Sequence, residues 1–175
     1  MNHPSEGFSQ PDRAGAALVA RASVAVDVPH PLRRLEEALG PGPFALVVLF
    51  VSPEADLDAL ALRLPGRFGG APVIGCSTAG EISGAGYTEG EIVAVALPTA
   101  HFAADVLLIP DLSVLEREAQ IGRLIRSRQA LARARPDWEG EFAFLMVDGL
   151  SVQEDALASA LASGLGPVPD RKSVV

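Results

Sequence analysis

The chain has 175 residues, of which 49% are hydrophobic and only 5% aromatic, enough for one domain whose core is built from Val, Leu, Ala and Ile. Its formal charge is −8 at pH 7. That balance argues against nucleic acid and anionic membrane as partners, because phosphate binding needs clustered Lys and Arg. The single basic group (Arg123, Arg126, Arg128, Arg133 and Arg135) is spread along one predicted helix and reads as a solvated face.

Cys76 is the only cysteine, so no intrachain disulfide is possible, which fits a reducing, cytoplasmic compartment. Residues 1–15 are polar, lack an apolar signal core and read as a disordered leader. The β-branched spacing of Val19, Val24, Val26 and Val28 predicts a first strand within 18–28. Pro29 and Pro31 end it and open a helix over 32–39 that aligns Leu32, Leu35 and Leu39. Gly40-Pro41-Gly42-Pro43 is a break. The apolar run 44–51 is the mark of a strand buried on both faces.

Ser52-Pro53-Glu54 has the chemistry of a helix start, predicting a helix that carries Leu57, Leu60, Ala61 and Leu64 as far as Pro65-Gly66. A short strand follows over 72–76. The longest apolar stretch, 92–110, is interrupted by Pro98, His101 and Asp105. A membrane helix needs about 20 predominantly apolar residues, so this stretch reads as strands over 91–97 and 102–109. An amphipathic helix over about 114–134, a buried strand over 142–147 and a helix over 152–165 complete the pattern.

The fold class is therefore α/β: a mixed β-sheet with flanking helices, containing two similar β-α-β units. The first joins 44–48, Leu57-Asp58-Ala59-Leu60 and Pro72-Val73; the second joins 142–146, Asp155-Ala156-Leu157 and Pro167-Val168. The second unit reads as incomplete. After Val168 the chain continues as Pro169-Asp170-Arg171-Lys172-Ser173-Val174-Val175, where a buried strand is expected. Reverse-translated, 170–175 with a stop matches a frame of a common sequencing-library adapter. The segment is expected to be non-native, with a genuine polar tail as the alternative, and the domain is expected to span 16–169 and to break off there.

Residues 72–81 hold the densest chemistry. Small residues at a strand end let backbone approach a bound molecule, and free N–H groups with the Ser77 and Thr78 hydroxyls would bind a carboxylate or other polar group. A tight turn in which Ser and Thr satisfy their own backbone is the alternative. Gly75-Cys76-Ser77-Thr78-Ala79 falls one glycine short of a nucleophile elbow and is followed by turn residues in place of a helix. Cys76 with His101 as base would make a hydrolase, but a free cysteine at a strand end is most often a small buried hydrophobe, and no catalytic residues are assigned. Asp148, at the carboxyl end of the second buried strand, is placed where open α/β sheets gather ligands; with Ser151 it also reads as a helix cap. His3, His30 and His101 are scattered, so no metal site is expected.

The run Val73-Ile74-Gly75-Cys76-Ser77-Thr78-Ala79-Gly80-Glu81-Ile82, with Glu89-Gly90-Glu91-Ile92-Val93-Ala94-Val95-Ala96-Leu97 beyond a glycine turn, resembles the signature of the FIST (F-box and intracellular signal transduction) N-terminal domain. The strand and helix start over 46–53 and Val147-Asp148-Gly149-Leu150-Ser151 resemble it in order and spacing. The resemblance covers about 20–169 and implies a sensory input domain of a bacterial signal-transduction protein that binds a small ligand such as an amino acid. A signalling protein such as a histidine kinase is an expected partner. Some members are associated with haem, for which His101 would be the axial candidate, and a protein-interaction module without a ligand is the further alternative. The candidate ligand-binding residues are Gly75, Cys76, Ser77, Thr78, Gly80, Glu81, Asp148 and Gly149.

Overall fold

The computed structural model describes residues 18–78, 81–83, 86–88, 90–148, 151, 153–165 and 170–174, and within 81–83, 86–88 and 170–174 the backbone alone. The long apolar run becomes the central strand β2 (Phe44–Val51) of a mixed four-stranded sheet. It pairs in parallel with β3 (Val73–Ser77) and antiparallel with β6 (Glu91–Pro98), and β6 pairs antiparallel with β1 (Ala20–Ala25), giving the order β1-β6-β2-β3. Leu46, Val47, Val48 and Leu49 are all buried, so β2 is enclosed on both faces as a continuous apolar run requires. A short antiparallel pair, β4 (Glu81–Ser83) and β5 (Gly86–Thr88), lies between β3 and β6 in sequence.

Helix α1 (Pro31–Leu39) turns Leu32, Leu35 and Leu39 onto one face of this sheet, where Val47, Leu49, Val51, Ile92, Ala94 and Ala96 form the core. The alanines of β6 are fully buried; their short side chains leave room for the helix. Gly40 ends α1 at φ 84°, in the left-handed region that glycine adopts without penalty.

A carboxylate ties α1 to the turn that adds Phe68 to the same core. Glu36 accepts from the Phe68 backbone N–H (2.6 Å) and from the Arg67 guanidinium (3.0 Å). Phe68 is buried and held at φ 51°, a conformation that costs a bulky residue about 1–3 kcal/mol and persists only when its surroundings dictate it. The Arg67 side chain is 39% exposed, so the ion pair itself contributes about 1 kcal/mol or less. Glu36→Ala is thus expected to cost about 1–3 kcal/mol and Arg67→Ala much less. Urea denaturation of the two variants checks the order, and equal losses would assign the bond energy to the ion pair.

The rest of the chain forms α3 (Arg117–Ala134), β7 (Ala143–Val147), α4 (Glu154–Leu165) and β8 (Asp170–Val174). Strands β7 and β8 pair in parallel with α4 between them, as β2 and β3 pair in parallel with α2 (Leu57–Ala61) and a 3-10 turn (Phe68–Gly70) between them. Helices α3 and α4 meet at Gly164, where an added Cβ would lie 3.1 Å from Leu124 Cδ2, and Arg128 donates to the Gly164 carbonyl at the end of α4. An edge-to-face contact of Phe102 with Phe142, centroids 6.5 Å apart, places the segment after β6 beside the start of β7.

Four expectations meet differences. The helix expected from Ser52 begins later: Ser52 and Ala55 close a turn, and Asp56 caps α2 by accepting from Ala59 N–H at 2.9 Å. Residues 102–109, expected as a strand, carry no ladder. Asp105 Oδ1 takes the Val106 N–H and Arg123 takes the Leu108 carbonyl, so side chains occupy backbone groups a ladder would use. The strand over 142–147 is less enclosed than its apolar run implies, Phe142 being 56% and Phe144 38% exposed. Finally, the sheet position beside β7, expected to stand empty, is taken by β8, from Ala143 opposite Asp170 to Val147 opposite Val174. Parallel pairing uses main-chain groups and tolerates a polar sequence.

Candidate functional site

At the carboxyl end of β7 the described residues border an open cavity of about 440 Å³. One wall is the β7–α4 connection. Ser151 N–H donates to the Asp148 carbonyl (2.9 Å), Gln153 N–H to Ser151 Oγ (3.4 Å) and Leu157 N–H to the Gln153 carbonyl (2.9 Å). These bonds link Asp148 at the end of β7 to the first turn of α4. Asp148, Ser151, Gln153 and the buried Leu157 face the space together with Leu145 and Val147.

The opposite wall is residues 107–113. Asp111 Oδ1 accepts from the Ser113 N–H (2.8 Å) and hydroxyl (2.6 Å), which fixes the turn. Those two bonds hold the exposed Asp111 carboxyl below the usual carboxylate range. Arg123 anchors the same segment from outside through the Leu108 carbonyl. The result is a cleft with leucine walls and polar groups at its rim, beyond the carboxyl end of a parallel strand, the arrangement in which α/β folds bind small molecules.

Of the residues singled out in the sequence, Asp148 lines this cavity, whereas Gly75, Cys76, Ser77 and Thr78 lie at the end of β3 and do not. Gly75 faces Leu49 across the β2–β3 ladder, and a Cβ there would sit 2.8 Å from the Leu49 carbonyl oxygen. Thr78 donates its N–H (3.0 Å) and its hydroxyl (3.4 Å) to the Val51 carbonyl, which extends the β2–β3 pairing one residue beyond the ladder. Ser77 is exposed at the last register position of the ladder. Glu81 opens β4 opposite Thr88; Gly80 and Gly149 lie outside the described residues. The cavity's second wall was not anticipated. Its signal in the sequence is Pro110-Asp111-Leu112-Ser113, turn chemistry between a strand-like run and a helix.

Burial pushes the Cys76 thiol up, away from thiolate formation. Native protein is therefore expected to react with iodoacetamide at mildly alkaline pH more slowly than urea-unfolded protein. Mass spectrometry of the labelled peptide reads the ratio, and faster native labelling would mark an activated thiol. His101 is exposed in the turn after β6, with its N–H donated to the Pro98 carbonyl. It lines neither this cavity nor a second one of about 400 Å³ between Glu36, Phe44 and Phe68. Among the described residues no His, Cys, Asp or Glu group of three or more is placed to hold a metal ion. No described helix is long and apolar enough to cross a membrane.

An α/β domain with a strand-end cleft is thus the class the fold defines. A family model described as the FIST N domain matches residues 45–169, from the central strand to beyond α4, and the chain belongs to this family of signal-transduction sensory domains. No curated protein and no solved structure matches it.

Proposed function

We propose that the chain is a small-ligand-binding sensory input domain of a cytoplasmic bacterial signalling protein, with the ligand seated between residues 107–113 and the β7–α4 connection. The cavity of about 440 Å³ carries this proposal, since its size and mixed lining suit an amino-acid-sized molecule. A binding role in preference to a catalytic one is supported by Cys76, whose thiol is pushed up by burial. Signal would pass to a partner such as a histidine kinase through α3 and α4, which pack on each other beside the cavity.

A thermal-shift screen of the whole chain against amino acids and related metabolites tests this. A ligand at 100 times its Kd stabilises the folded state by about 2.7 kcal/mol. Asp148→Asn is expected to weaken such a ligand by about tenfold, while Ser77→Ala leaves its affinity unchanged. The reverse pattern would move the site to the end of β3.

A further inference from the structure

We propose that the solvent face of α3 is the contact surface for a second copy of this chain, the two helices packing antiparallel across Gly122. No residue of α3 lines the cavity at the end of β7, so the surface stands apart from the proposed ligand site. Helix α3 has 18 residues and none of them is buried, although helices in proteins draw most of their stability from packing a face. Its inner side meets α4, with Ile121 and Leu124 beside Gly164. At about 100° per residue, the opposite side is centred on Gly122. Glu118, Ala119, Ile125 and Arg126 flank it there, and all four are exposed.

Glycine in a helix interior lowers stability relative to alanine, and no described neighbour requires it at position 122. Among the described residues, a Cβ there would meet only Arg126 Nη1, at 3.4 Å, the tip of a flexible side chain. A glycine open on the outer side of a helix suits the close approach of another backbone. The charges identify that backbone. In an antiparallel pair with a two-fold axis at Gly122, positions equally far before and after the glycine lie opposite each other. Glu118 then faces the partner's Arg126, Arg126 faces the partner's Glu118, and each Ile125 covers the partner's Ala119. Neither Glu118 nor Arg126 forms an ion pair among the described residues. A parallel arrangement would set like charges together.

Sedimentation equilibrium of the full chain up to about 0.5 mM tests this, since a contact of one helix face falls at the weak end of interfaces. The mass is expected to rise with concentration from 18.2 kDa toward twice that value. Arg126→Glu and Glu118→Arg are each expected to weaken the dimer at least about tenfold, and the two together to restore it. Gly122→Ala is expected to weaken the dimer while raising the thermal midpoint of the dilute, monomeric chain. A monomer at every concentration would overturn the proposal. So would a dimer indifferent to the three single variants, which would lie on another surface. Charge-reversal losses that the double variant does not restore would overturn the antiparallel register. A lowered midpoint in Gly122→Ala would mean that the chain's own fold needs this glycine, and would overturn the close approach.

Discussion

Leu35→Ala is expected to be the most damaging single truncation in the four-stranded half of the chain. Leu35 is fully buried, at 0% exposure, at the centre of the α1 face that covers Val47, Ile92 and Ala94. Removing its terminal carbons costs the lost burial plus the cavity left behind, about 2–5 kcal/mol for a leucine. The upper part of that range applies because the floor is a hydrogen-bonded sheet that cannot collapse into the gap. Domains of this size carry about 5–15 kcal/mol in total, so the variant approaches the edge of folding. Urea denaturation should show a lower midpoint with an unchanged slope, and Leu62→Ala, at a position 83% exposed, should show no shift. Comparable midpoints for the two variants would mean that α1 does not seal this core.

Gly75→Val is expected to be nearly as severe for a different reason. The nearest neighbours of an added Cβ are the Leu49 carbonyl oxygen at 2.8 Å and Leu49 Cβ at 3.1 Å. A backbone atom cannot rotate aside, so β3 must move off β2 along the ladder that joins residues 47–51 to 73–77. Overpacking of this kind costs about 1–3 kcal/mol; alanine already incurs it, and valine adds branched bulk. Gly140→Ala, with nothing within 4 Å, is the matched control. Thermal unfolding of the three variants reads the difference, and wild-type stability in Gly75→Val would remove the close approach as the reason for glycine here. With the expected destabilisation, a loss of signalling on changing Gly75 would report sheet packing ahead of ligand contact.

How far the sequence reveals this protein depends on whether the relevant force is local. The run 44–51 could only be a buried central strand, and the leucine spacing of 32–39 leaves one face to bury; both appear in the structure as read. Periodicity cannot show whether a strand-like segment finds a partner. Residues 102–109 have the right composition, yet Asp105 and Arg123 take their backbone groups and no ladder forms. Asp56 won over Ser52 as the α2 cap because its carboxylate reaches the Ala59 N–H, a competition between two good caps that sequence leaves undecided. In the candidate site, Asp148 was visible from its place at a strand end. Its facing wall, residues 107–113, was not, because that contact spans more than 30 residues of chain and depends on how two irregular segments pack.

The proposed ligand site lies at the end of β7 and not at the end of β3. Backbone amide shift mapping of isotope-labelled chain, titrated with leucine, addresses it most directly. The largest changes are expected in residues 107–113, 145–148, 151 and 153–157, with Gly75, Cys76, Ser77 and Thr78 unmoved. Changes concentrated at 75–78, with 107–113 silent, would contradict it.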